Sequence, residues 1–544
     1  ALATSALPAL TKLDVQNNRC TARGLSSLLE APFVEKLHTL RVRNNPLGPA
    51  GGTVLGAWLG PGPATLDLTR CELEDAGLQA IAQGPLAGSV ETLALGQNGL
   101  TGAHLARFTE LRSVDLTRNR GLRTAHLSAA ASRWTSLKLD GCGLDDASLD
   151  ALVAPALRTL SMPRNPDVTC DGPRFASLGE LRSLDLSGCG VETPGWHTLA
   201  TALPRLERLQ LNKCAIEGFA GTPRGAFPTL RALHLASNPI GEDARALADV
   251  ALPALRTLRV SLCGIGGALG AWSRAPWFAQ LQELDVSGQA IDPTDLRAGR
   301  SLERLDMSHT GLTGSLDVLW ELPGLQILTA SHNRLGNEGV FAGAGHPNLR
   351  QLNLANNALD NTPVPGRPDE RLRFPRLQHL NLRVNGISPS VEAALRQTSS
   401  RVLLDADERP PSSVHEDLSW IRVLLGDDGP MNRDMVRRRL SRRGARVTAV
   451  HDDALAPKLV ASQPFDVVLL QPRHDAARSW RVVRALREAH PELPVVAYCG
   501  YGQLADREAA LEAGCTEYLG ERMDFDRLVA VIRAHAPAAE SAGA

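Results

Sequence analysis

The residues best suited to hold a metal or act as nucleophiles are nine cysteines and 14 histidines in a chain of 544 residues. Their spacing argues against both roles. No C-x-x-C pair occurs, and no cysteine and histidine stand at metal-ligand spacing. His234, His309 and His332 are isolated along the chain. His309 and His332 fall at equivalent points of a repeating pattern, so a bridging metal would have two ligands and lack a third. The chain contains no P-loop, no strand-linked G-x-G-x-x-G, no H-E-x-x-H and no G-x-S-x-G. We therefore expect no catalytic centre, no resident metal and no cofactor: a protein that is not an enzyme.

Five of the cysteines obey a period instead. Leu10-Thr-Lys-Leu13-Asp-Val15-Gln-Asn-Asn18 has the form LxxLxLxxN. The pattern recurs with first positions at 10, 37, 63, 90, 111, 134, 157, 181, 206, 230, 255, 281, 302, 325, 349 and 377, sixteen copies in steps of 21 to 28 residues. The fourth position is Leu except at Val114. The ninth is Asn18, Asn45, Asn98, Asn119, Asn165, Asn238, Asn333, Asn357 and Asn385, Cys71, Cys142, Cys189, Cys214 and Cys263, then Gln289 and Thr310. The LxL alternation turns both leucines to one face of a short strand. Where the chain leaves that strand, a buried side chain must satisfy turn backbone groups. The cysteines read as buried reduced thiols, which suits a reducing compartment.

These copies resemble leucine-rich repeats, and the Asn/Cys alternation resembles the ribonuclease-inhibitor-like and related bacterial subfamilies. The resemblance covers residues 1–405. It implies a curved α/β solenoid with strands on the concave face. Acidic starts and helical apolar spacing predict helices from Asp75 and from Asp243. Gly218 to Gly225 and Asp360 to Glu370 read as irregular, and the short steps 90–111 and 281–302 leave little room for a full helix. A solenoid offers an extended concave surface, usually for protein binding. Candidate partner-binding residues there are Arg41, Arg43, Asp67, Arg70, Asp115, Arg118, Lys138, Asp140, Asp185, Lys213, Arg259, Asp285 and Asp306. Both signs of charge are interleaved, which suits a folded protein; a nucleic acid would require a basic stripe with aromatics. The totals agree: 58 basic against 59 acidic residues, with 4% aromatics. No apolar run approaches a membrane span. Ala1 to Leu10 lacks the basic start of a signal peptide. A cytoplasmic location is expected; oligomeric state is not legible.

Asp405 to Ser413 is charged and rich in Pro and Ser, so residues 406–419 read as a linker. Beyond it, over 420–537, apolar strands at Ile421–Gly426, Ala445–Val450, Asp466–Gln471, Val495–Cys499 and Glu517–Leu519 alternate with helical segments near 430–443, 452–462, 475–490, 505–513 and 524–535. Continuous apolar strands between helices predict a doubly wound five-stranded parallel sheet covered on both faces. Residues 538–544 read as a tail. The basic run Arg437-Arg-Arg439 with Arg442, Arg443 and Arg446 reads as a solvated helical face.

The stretches Val423-Leu-Leu-Gly-Asp427-Asp428-Gly-Pro-Met-Asn432, Pro464-Phe-Asp-Val-Val-Leu-Leu470, Pro494-Val-Val-Ala-Tyr-Cys499, Ala510-Leu-Glu-Ala-Gly514 and Tyr518-Leu-Gly520 resemble the receiver domain of bacterial response regulators. That family's chemistry uses an acid pair for Mg²⁺, an acceptor Asp, a Thr or Ser, and a Lys. The resemblance puts Asp427 and Asp428 at the acid pair, Gln471 at the acceptor, Cys499 at the hydroxyl, Glu521 at the lysine and Tyr518 at a switch aromatic. Gln471 cannot form an acyl phosphate, and Glu521 puts a negative charge where a cation would stand. The resemblance thus implies a pseudo-receiver with a vestigial acid pair. The leading expectation is a signalling or localisation scaffold: the solenoid binds one protein and the pseudo-receiver docks another. Two alternatives are a two-component protein phosphorylated at a non-standard acceptor, Asp475 or Asp466, and an enzyme with a site on the concave face.

Overall fold

A computed structural model describes residues 7–359 except 8, 61, 129, 173, 174, 176 and 342–344, then 374–383, 385, 402 and 403. Towards the C-terminus it describes 418, 421–427, 433, 436, 437, 439, 440, 443, 445–450, 453–471, 476–498, 504–520 and 525–535. The chain divides into two compact units, residues 1–407 and 408–544.

In the first unit each repeat contributes one three-residue strand, from Lys12–Asp14 to His379–Asn381, and Val402–Leu403 closes the series. All pair in parallel with the LxL leucines in register: Leu13 with Leu40, Leu40 with Leu66, and onward to Leu352 with Leu380 and Leu380 with Val402. Both apolar positions of each LxL are buried, as the period-two alternation requires, except in the first repeat, where Val15 is half-buried. The chain then leaves the strand by one recurring turn. The residue before the ninth position is left-handed in every repeat from Asn17 to Asn356, with φ between 54° and 75°.

The ninth side chain stitches adjacent repeats. Asn98 Nδ2 donates to Leu68 O at 2.8 Å in the preceding repeat and to its own repeat's Leu95 O at 3.0 Å. Its Oδ1 accepts the N–H groups of Cys71 and Leu73 at 3.0 and 3.2 Å. Asn45 and Asn165 repeat the pattern. Cysteine keeps only the donor half: Cys71, Cys142, Cys189, Cys214 and Cys263 donate Sγ–H to the preceding repeat's carbonyl at Val42, Leu116, Met162, Leu186 and Leu235.

Behind the sheet, helices cover Ala22–Leu29, Gly48–Gly56, Glu74–Gln83 and Thr193–Ala202. The helix expected from Asp75 is thus present. The one expected from Asp243 is instead a 3₁₀ turn series, Gly241–Asp249. Asp243 Oδ2 accepts the N–H groups of Phe219 and Ala220 at 2.7 and 3.1 Å, which ties this segment to the preceding repeat. Gly218–Gly225 is irregular, and the short steps hold 3₁₀ turns at Leu105–Arg107 and Pro293–Ala298. Residues 360–370 lie outside the described residues. Gly48–Gly56 and Glu74–Gln83 touch backbone to backbone. A side chain at Gly52 would run into Gly77, and one at Gly56 into Ala80.

The second unit is a parallel sheet ordered Arg446–Val450, Arg422–Gly426, Val467–Leu470, Val495–Tyr498, Glu517–Leu519. Each face has its own core. Val423, Leu425, Val467, Leu469, Val496 and Tyr498 pack with Leu528 and Ile532 on one side. Leu424, Val468, Leu470 and Ala497 pack with Trp480, Val483 and Ala510 on the other. Two-sided burial is why these strands read as unbroken apolar runs. Helices Ala456–Ser462, Ala476–Ala489, Leu504–Glu512 and Phe525–His535 fall where expected. The linker expected over 406–419 ends sooner: Leu418 is fully buried in the first of these cores, and its N–H donates to Arg443 O at 2.7 Å.

Candidate functional site

Open parallel sheets bind ligands beyond the C-terminal ends of their strands. At that edge Asp427 follows the strand Arg422–Gly426. Its N–H donates to Val450 O at 3.1 Å, and its carbonyl accepts from Arg433 Nη1 at 2.7 Å. The residue is 1% exposed, and Oδ2 accepts the Tyr498 hydroxyl at 2.6 Å. Gln471 ends the neighbouring strand, its N–H donating to Gly426 O at 2.9 Å, so it sits at the same edge. Asp453, buried beside Gly426, accepts the Ser479 hydroxyl at 2.6 Å. Two buried carboxylates at this edge are thus held by hydroxyl donors from the protein itself.

At the opposite edge Asp466 precedes its strand. Arg422 donates to it from Nη2 at 2.7 Å, from Nε at 3.0 Å and from the backbone at 2.6 Å. Burial pushes the Asp466 carboxyl up, but these bonds and the guanidinium charge outweigh it and hold the group below the usual carboxylate range.

Residues 423–533 match the family model "Response regulator receiver domain", and residues 65–82 match a leucine-rich-repeat model. The chain joins leucine-rich repeats to a C-terminal receiver domain. Response regulator MprA of Mycobacterium ulcerans is 31% identical over 114 residues, 21% of this chain and 49% of that protein; MprA of Mycobacterium avium is equally similar over 50% of its length. The chain thus spans about half the length of the curated relatives it matches. Among solved structures, the NtrX receiver domain of Brucella abortus is 25% identical, covering 21% of this chain and 96% of that one, with a TM-score of 0.20. A leucine-rich-repeat protein of Leptospira interrogans is 18% identical, covering 73% and 96%, with a TM-score of 0.42.

Within the receiver domain, Asp427 and Gln471 are brought to one sheet edge, and Tyr518 is buried in the second core. Asp428, Cys499, Glu521 and Asp475 lie outside the described residues. Sequence reasoning missed Tyr498 and the Asp453–Ser479 pair. Tyr498 did leave a signal, since a phenol in a strand buried on both sides needs a partner for its hydroxyl.

On the repeats, Asp67, Asp115, Asp185, Asp285 and Asp306 share one register row of the parallel sheet. Each accepts the N–H two residues ahead, from Thr69, Thr117, Ser187, Ser287 and Ser308, at 2.9 to 3.0 Å. These acids terminate their strands, a structural task independent of any partner. Asp140, half-buried, accepts from Ser161 Oγ at 2.9 Å. Burial raises its carboxyl, with Asp115 and Asp185 adding to the effect, against the Ser161 bond and the charge of Arg164. Arg259 is engaged by Glu283, and Arg41 lies 3.8 Å from Asp14. Arg43, Arg70, Arg118, Lys138 and Lys213 are exposed. The His309 and His332 rings stack at 4.1 Å and 11°, and His332 Nδ1 accepts from Asn356 Nδ2 at 2.6 Å. No cluster of three His, Cys, Asp or Glu suited to a metal occurs among the described residues.

Proposed function

We propose that this protein is a non-enzymatic interaction scaffold of bacterial signalling or localisation. The repeats bind one protein partner on their concave face, and a receiver domain that takes no phosphoryl group docks another. The observation that carries the reading is the strand-end edge of the receiver. There Gln471, a carboxamide, stands beside Asp427, whose carboxylate is occupied by Tyr498. A carboxamide does not form an acyl phosphate, and a phenol bound to the acid competes with a cation for it. Asp466, one acceptor of the phosphorylated alternative, is engaged by Arg422 at the far edge. A cytoplasmic location goes with the proposal; among the described residues no helix is long and apolar enough to cross a membrane.

The test is incubation with acetyl phosphate and Mg²⁺ followed by intact mass at neutral pH. No labile phosphoryl adduct is expected. An adduct would transfer support to the phosphorylated two-component reading. Crosslinking of captured partners then asks whether contacts map to the concave strands and to the receiver.

A further inference from the structure

The left-handed turn row carries an alternation that the fold does not require. From the third repeat to the ninth it reads Arg70, Gln97, Arg118, Gly141, Arg164, Gly188, Lys213, all with φ between 55° and 71°. Glycine accepts this conformation freely, whereas a side chain there strains the backbone. Cations at alternate repeats therefore need a reason, and it is not internal. Among the described residues, the guanidinium groups of Arg118, Arg120 and Arg164 make no hydrogen bond and no ion pair. All three line one open groove of about 560 Å³ floored by Gly141 and Gly143 and bordered by Pro166. Gly141 has φ 59°, and a Cβ there would stand in ordinary contact with Arg118 Cγ at 3.8 Å.

We propose that this groove on the fifth to seventh repeats binds carboxylate side chains of an extended acidic segment of a protein partner. The inference rests on the scaffold reading and names the chemistry of its partner. Guanidinium forks match carboxylates in bidentate geometry. Neighbouring strands lie about 4.8 Å apart, so cations on alternate repeats stand about 10 Å apart. An extended chain advances about 3.3 Å per residue, so the row from Arg70 to Lys213 fits an acid at every third residue. A nucleic acid fits less well. The row holds no aromatic residue for base stacking.

The experiment is fluorescence anisotropy on the full chain at low and moderate salt. The probes are a fluorescein-labelled peptide of repeated Glu-Ser-Gly, the same peptide with Gln for Glu, and a labelled oligothymidylate. The acidic peptide is expected to bind, more weakly as salt rises, and the other two to bind at least about tenfold more weakly. Arg118→Glu with Arg164→Glu should abolish that preference, while Arg350→Glu, an exposed arginine of a later repeat, leaves it intact. If the charge reversal lowers the melting temperature, Arg118→Gln with Arg164→Gln replaces it and should weaken binding in the same direction. Equal binding of the glutamine peptide, unchanged affinity in the arginine variants, or oligothymidylate binding as tight as the peptide's each overturns the proposal. Failure here, with a partner still crosslinked to the concave strands, leaves the scaffold reading standing. Absence of any such crosslink removes that reading whatever the peptide does.

Discussion

Asn98 serves two repeats at once, accepting the N–H groups of Cys71 and Leu73 and donating to Leu68 O and Leu95 O. Replacing it with Leu keeps the volume but strands these buried groups. At about 1–3 kcal/mol for a buried group left unmade, Asn98→Leu should cost several kcal/mol, read as a fall in urea midpoint. Cys71→Ala removes one weak thiol donor and a small volume, and should cost about 1 kcal/mol. A larger loss for the cysteine than for the asparagine would refute this division of labour. The ladder was legible in the sequence because Asn or Cys recurs at the ninth position of a repeated LxxLxL pattern. The Tyr498–Asp427 bond was not, because its partners stand 71 positions apart and no period links them.

Helix Gly48–Gly56 reads GPAGGTVLG, a poor helix by propensity, since each interior glycine costs about 1 kcal/mol against alanine. Close approach explains it: Gly52 and Gly56 let the helix lie directly on Gly77 and Ala80 of the next. Gly56→Leu should therefore destabilise the protein by more than about 3 kcal/mol, as overpacking against rigid backbone does, although leucine is the better helix former. A stabilised variant in thermal melts would show that the two helices can part. The sequence predicts the helix after Asp75, where apolar spacing is clean, and is silent on its glycine-rich neighbour. The same spacing misleads at Gly241–Asp249, which winds as 3₁₀ turns although its apolar residues Ala244 and Leu247 are buried as a helix would bury them.

Across the whole molecule, burial governs the thiols. It pushes Cys71, Cys142 and Cys214 up to about 11, and Cys189 and Cys515 up to about 12. Alkylation proceeds through the thiolate. These five should therefore resist iodoacetamide at pH 8 in the native protein and react fully in denaturant, with mass-mapped peptides as the readout. Rapid native labelling at Cys142 would mean that the repeats open far more readily than their packing implies.

The stitching also has a direction. Ladder asparagines such as Asn98 and Asn165 accept turn amides of the repeat before them, so those amides are satisfied from the C-terminal neighbour, whereas strand amides such as His38 and Thr39 donate back to Thr11 O of the N-terminal one. Peeling the final repeat from such an array leaves its predecessor's amides in want of acceptors. Peeling the first frees the Asn45 carboxamide and the strand amides of His38 and Thr39, with no turn amide among them. The turn stitching is thus polar while the strand ladder is not, and Val402–Leu403 extends that ladder one strand past His379–Asn381.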